Sequence, residues 1–180
     1  MQYPKPVITK FVILVISGGT SHWKTLARAL ITYRLDYGNA LLFGLPSTLM
    51  TRPQKVQNSS TRLVTRTHKR EHITPVLNSL DWLPVIYKSQ YKILMYTFKA
   101  LQGTAPQYFV PYQPTRCLRS EFGSFLAVPT TRGVTYGNRC FRKAAATLWN
   151  NLPVTIRKCN TLDTFKKKIK TNIFVSAFPS

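Results

Sequence analysis

A chain of 180 residues is long enough to bury a core, and a content of 44% hydrophobic and 12% aromatic residues excludes a disordered composition. The charge is lopsided: 26 Lys and Arg against 5 Asp and Glu give a net charge of +21 and a pI near 10.4. Such a chain repels itself unless an anion neutralises it, which makes nucleic acid the expected partner, with a membrane surface or a ribosomal-type structural role as alternatives. Cys117, Cys140 and Cys159 are odd in number, widely spaced and without a CxxC. They argue against a disulfide framework and for a reducing, intracellular compartment, nuclear or cytoplasmic.

Residues 1–22 read as an unmatched leader, disordered or forming a short strand. The apolar run 7–16, broken by Thr9 and Lys10, falls short of the about 20 residues that span a bilayer. A signal peptide is a further reading, opposed by the short apolar stretch and the lack of an A-x-A site. Leu26, Leu30, Ile31, Tyr37, Leu41 and Leu42 then recur at helical spacing and predict a helix over 23–43, closed by Gly44 and Pro46. A second helix is predicted from an N-cap at Ser47 to about residue 66, with Leu49, Met50, Val56, Leu63 and Val64 as its apolar positions. Pro53 is expected to shift its start or kink it. A short helix over 73–80 leads to a turn at Trp82, Leu83 and Pro84. The most apolar helix follows over 85–101, with Tyr87, Tyr91, Leu94, Phe98 and Leu101 along one side, ended by Gly103.

Pro106, Pro111, Pro114 and Pro129 punctuate an extended connector, with a short strand near 125–128. A helix over 137–151 carries Phe141, Ala144, Ala145, Leu148 and Trp149. The last helix covers 162–178, capped by Asn160 or Thr161. Leu162, Phe165, Ile169, Ile173 and Ala177 form its apolar face, and Lys166, Lys167, Lys168 and Lys170 stand on the other. The fold class is therefore mainly α: an irregular bundle of about five to six helices with an extended Pro-rich connector. The organisation is a helical part 23–104, a connector 105–135 and a C-terminal helical part 136–180. Trp82, Trp149, Leu94, Phe98 and Phe165 are expected in the core. Tyr87, Tyr91 and Tyr96 also read as core, not as platforms for bases, because they fall on apolar stripes.

Catalytic chemistry finds few residues to use. A polymerase needs carboxylates converging on two metal ions, and only Asp36, Glu71, Asp81, Glu121 and Asp163 exist. Asp36 follows Tyr33-Arg34-Leu35, an echo of the polymerase Y-x-D-D, but Tyr37 stands where the second Asp would be. His68 and His72 are spaced i, i+4 as metal ligands can be, yet Lys69 and Arg70 between them oppose a cation, so a solvated basic loop is expected. Gly18-Gly19 forms no phosphate loop. No metal, cofactor or enzymatic activity is expected of this chain. The positive signal lies in the basic groups: Arg62, Arg66, His68, Lys69 and Arg70; then Arg139, Arg142 and Lys143; then residues 166–170. Any one of them could be a solvated face. Together, with so little acid, they point to a phosphate-facing surface, with Arg62, Arg66, Lys69, Arg70, Arg142, Lys143, Lys166, Lys167 and Lys170 as the contact residues.

The segments YRLDYGNALLFGLP (33–46), KVQNSSTRLVTRTHKREHITPVLNSLDWLPV (55–85), YKILMYTFKALQGTAPQY (91–108), CLRS (117–120) and RCFRKAAATLWNNLPVTIRKCNTLDTFKKKIK (139–170) occur in this order. In this order the set closely resembles the region after the polymerase core in reverse transcriptases of LINE-type (non-LTR) retrotransposons, the jockey-like and chicken-repeat-like clades fitting best. The resemblance covers about residues 25–178. It implies a thumb-like and C-terminal helical region of an RNA-directed DNA polymerase whose endonuclease, fingers and palm, with the F-A-D-D aspartates, are absent from this sequence. It further implies contact with RNA or an RNA–DNA hybrid through backbone phosphates, without sequence reading, and the missing polymerase core as a partner in trans. Gly38, Pro53 and the pair Ser59-Ser60 stand where family members usually have Cys, Leu and a small apolar pair, so the chain reads as a truncated or decayed copy. The alternative is an inert or co-opted helical fragment that binds a protein partner and has no nucleic-acid role.

Overall fold

The computed structural model describes residues 33–106, 109–112, 124–131, 133 and 137–179. The expected leader 1–22 and the first half of the helix predicted over 23–43 lie outside the described residues. Within them the chain is mainly helical. The α-helices are α1 (Tyr33–Asp36), α2 (Ser47–Thr65), α3 (Ile73–Ser79), α4 (Val85–Leu101), α5 (Phe141–Asn150), α6 (Val154–Arg157) and α7 (Leu162–Ala177), with 3-10 turns at Asn39–Leu42 and Gly137–Arg139. No named strand occurs among the described residues. The strand expected near 125–128 is a single antiparallel bridge, Pro111 to Leu126, in which Tyr112 N–H donates to Phe125 O at 3.0 Å and Ala127 N–H to Val110 O at 3.0 Å.

The hub is α4. It packs against α1, the 3-10 turn at Asn39–Leu42, α2, α5 and α7. Its sequence explains this, because Ile93, Leu94, Met95, Thr97, Phe98 and Ala100 are all buried, giving it apolar surface on several sides. The main core joins Leu94, Met95 and Phe98 of α4 to Trp149 of α5, Ile156 of α6 and Phe165, Ile169 and Ile173 of α7. Phe165 is fully buried, stacked on Phe98 with ring centroids 4.3 Å apart and on Trp149 at 5.8 Å. The helical parts before and after the connector thus share one core. All five expected core residues are buried, Trp82 in a second cluster with Leu77.

Two helices depart from expectation. The helix predicted to reach residue 43 ends at Asp36, because Gly38 adopts φ 66° and the chain re-enters as a 3-10 turn. Glycine takes this left-handed conformation without steric cost, and a helix cannot pass through it. Tyr37 and Leu41, expected on an apolar stripe, are consequently 91% and 84% exposed. In α2 the expected apolar face holds only in part, for Leu63 and Val64, which pack against Leu77 and Trp82. Leu49 and Val56 are exposed, and the buried positions are Gln57, Ser60 and Thr61. These are satisfied polar groups: Gln57 Nε2 donates to Leu83 O at 2.9 Å, while Thr61 and Ser60 hydroxyls donate to carbonyls one turn back. Gln54 Oε1 accepts from Val85 N–H at 2.9 Å, supplying a partner for a first-turn donor of α4. Pro53 neither moves the start of α2 nor ends it, and Ser47 is its first residue, not its cap. Along α4, Leu101 and Tyr96 prove exposed, Tyr96 lying under Lys92.

The C-terminal half follows the sequence more closely. Ala144, Ala145, Ala146 and Trp149 form the buried face of α5, which starts at Phe141 after the 3-10 turn, and α6 is an additional turn that was not anticipated. The hydroxyl of Thr161 caps α7 by accepting from Thr164 N–H, and Asp163 stands in the first turn, favourable to the helix dipole.

Candidate nucleic-acid interface

The first basic group surrounds the end of α2. Arg66 is the C-cap residue, left-handed at φ 56°, and Arg62 O accepts from both Arg66 N–H and Thr67 N–H, which closes the helix. Arg66, His68, Lys69 and Arg70 are exposed in or beside the loop that follows. Arg62 is placed differently. Its guanidinium donates to the backbone carbonyl of His68 and, at 2.7 Å, to that of Glu71. It therefore ties the loop to the helix and holds Arg66, Lys69 and Arg70 in place, with fewer N–H groups left for an outside anion. His68 and His72 lie on this loop and at the N-cap of α3, both exposed, and share no helical face.

The second group sits on α5. Arg142 is exposed. Lys143 is half-buried and donates to Asn138 Oδ1 at 2.6 Å and Thr131 Oγ1 at 3.2 Å, fastening the connector to the helix. Arg139 lies beside Gly44, where an added Cβ would meet its Cγ at 2.9 Å.

On α7 the lysines flank the buried ridge of Phe165, Ile169 and Ile173. Lys166 is half-buried and pairs with Asp163 at 3.3 Å. It also neighbours Tyr91, whose phenol burial pushes above its ordinary value while Lys166 pulls it down. Lys170 is exposed, with its ammonium 5.4 Å from the Phe174 ring centroid. Lys167 and Lys168 stand on the opposite flank, facing α6, and Lys168 donates to Thr155 O at 3.2 Å. Of the nine expected contact residues, Arg66, Lys69, Arg70, Arg142, Lys167 and Lys170 are exposed, whereas Arg62, Lys143 and Lys166 are held by partners within the chain.

The first and third groups are linked through one apolar cluster. Phe178, at the end of α7, packs with Leu77 and Trp82 in the cluster that also holds Leu63 and Val64 of α2. The α5 group belongs to a separate cluster around Ile93, Ala144 and Ala145.

The fold also brings together charges that are far apart in sequence. A cavity of about 210 Å³ is lined by Asp36, Asp81, Trp82, Lys88, Lys170 and Phe174, and Lys88 pairs with Asp36 at 3.4 Å. Two carboxylates facing two ammonium groups compensate each other, which is not the carboxylate excess that holds paired metal ions. Among the described residues no group of three or more His, Cys, Asp or Glu side chains could hold a metal, and no helix is long and apolar enough to cross a membrane. Cys140 and Cys159 are free thiols.

Arg157 was not singled out in the sequence, where it is one cation among many. In the fold it is 7% exposed, with its guanidinium carbon 4.0 Å from the Phe125 ring centroid. Burial pushes its pKa below the ordinary value. Nothing in its local pattern signals this; the turn α6 turns Ile156 and Arg157 inward together, and Phe125 of the connector lies against the guanidinium.

Comparison of the chain with family models, with curated proteins and with solved structures gives no match.

Proposed function

We propose that this chain is a non-catalytic helical segment of a LINE-type reverse transcriptase that binds RNA or an RNA–DNA duplex through backbone phosphates. The observation that carries this reading is the surface charge. Arg66, Lys69, Arg70, Arg142, Lys167 and Lys170 are exposed on a chain of net charge +21, while the acids Asp36 and Asp163 are already paired with Lys88 and Lys166. Exposed cations in such excess over acid attract phosphate chains and carry no base readout. The motif order from residue 33 to 170 supports the family, and a polymerase core is the protein partner it would serve. The aromatic side chains of the core, Trp149, Phe98 and Phe165 among them, are buried and so unavailable for base stacking.

The test is binding to a short RNA–DNA hybrid across a salt series, comparing the parent with an Arg66→Gln/Lys69→Gln/Arg70→Gln variant. Each phosphate contact contributes about −0.9 to the slope of log K against log salt on a duplex, so three lost contacts flatten it by about 3. An unchanged slope in this variant rejects the α2 loop as part of the interface.

A further inference from the structure

We infer that the cavity between α4, α5, α6 and the Pro111–Leu126 bridge is a binding site for a small carboxylate carried on an apolar body, with Arg157 as its anchor. The cavity has a volume of about 320 Å³, at the lower end of the roughly 300–1,000 Å³ of ligand pockets. Its floor is buried and apolar: Phe98, Leu126, Trp149 and Cys159. Its rim, at Leu101, Gln102 and Ser124, is exposed and leaves a way in.

The guanidinium is the unusual element. Arg157 is 7% exposed, and its buried Nε and Nη1 have no hydrogen-bond partner. Buried polar groups are normally satisfied, and a buried charge without a counterion is strongly unfavourable. Of the other polar groups buried there, the Trp149 indole and the Cys159 thiol already have partners. Trp149 Nε1 donates to Ser124 O at 2.9 Å, and Asn150 bonds both the N–H and the carbonyl of Leu126. Arg157 therefore offers the cavity unused donors, and a carboxylate is the acceptor a guanidinium fork matches in geometry and charge. The Phe125 ring across one face of the guanidinium leaves its edge for that acceptor. Apolar walls select a ligand with a single ring or a short aliphatic body. This site is independent of the exposed cations assigned to phosphate binding.

Calorimetric titration of the full chain with phenylacetate, 2-phenylethanol and inorganic phosphate tests the inference. Phenylacetate is expected to bind with a Kd below about 1 mM, and 2-phenylethanol and phosphate at least ten-fold more weakly. Arg157→Met is expected to lose phenylacetate binding at least ten-fold, while its ligand-free form melts at the same or a higher temperature because the unpaired charge is gone. Equal binding of the alcohol, or no binding of phenylacetate at millimolar concentration, overturns the site even if Arg157→Met fails to fold. Undiminished binding of phenylacetate by a folded Arg157→Met or Arg157→Lys protein overturns the role of the guanidinium.

Discussion

Phe165→Ala is the substitution that best probes whether the two helical parts form one core. Phe165 is fully buried, and its ring is stacked on Phe98 of α4 at 4.3 Å and Trp149 of α5 at 5.8 Å. A buried Phe→Ala change costs about 3–5 kcal/mol from lost transfer energy and the cavity left behind. The stacked pairs add about 0.5–1.5 kcal/mol each, part of which the first figure already contains, so about 4–5 kcal/mol is expected. Domains of this size are stable by about 5–15 kcal/mol, so the variant sits near its unfolding limit. In urea, with a slope of about 2 kcal/mol per molar, the midpoint moves down by about 2 M. Circular dichroism of helix content follows the transition. Val175→Ala serves as control on the same helix, since Val175 is 69% exposed and surface changes stay within about 0.5 kcal/mol. A midpoint shift no larger than that of the control would refute the shared core.

The polar face of α2 and the break at Gly38 make further predictions. Gln57→Leu is expected to destabilise by about 1–3 kcal/mol although it makes a buried position more apolar, because Leu83 O loses its donor; urea melts measure it, and a stabilised variant would contradict the clamp. Gly38→Ala is expected to lose about 1 kcal/mol, since Gly38 has φ 66°; a gain in thermal stability would mean that the helix continues through this position as its flanking residues predict.

The elements legible in the sequence are those whose burial follows a single helical stripe. Phe165, Ile169 and Ile173 on α7 and Ala145 and Trp149 on α5 repeat every four residues, and both helices lie where the pattern puts them. On α2 the same logic holds for Leu63 and Val64 but misses the fully buried positions Gln57, Ser60 and Thr61, whose hydrogen bonds to Leu83 O and to the helix's own carbonyls are made only in the folded chain. It failed at Gly38 because an apolar stripe does not register backbone handedness. Of the candidate interface, the identity of the basic residues was legible but their availability was not. Arg62 and Lys143 look like any surface cation until the carbonyls of His68 and Glu71, or the side chains of Asn138 and Thr131, are placed beside them. Arg157 was invisible for the complementary reason: its burial depends on the connector folding back over α5 and α6.

The most direct measurement of the central claim is the affinity of the purified chain for an RNA–DNA hybrid as a function of salt, with helical circular dichroism recorded on the same sample. A folded phosphate-binding surface using Arg66, Lys69, Arg70, Arg142, Lys167 and Lys170 gives a helical signal and a log-linear fall in affinity with a slope of about −5 if all of them engage. A helical protein whose affinity is insensitive to salt, or no tighter than that of an unfolded peptide of equal charge, contradicts the account.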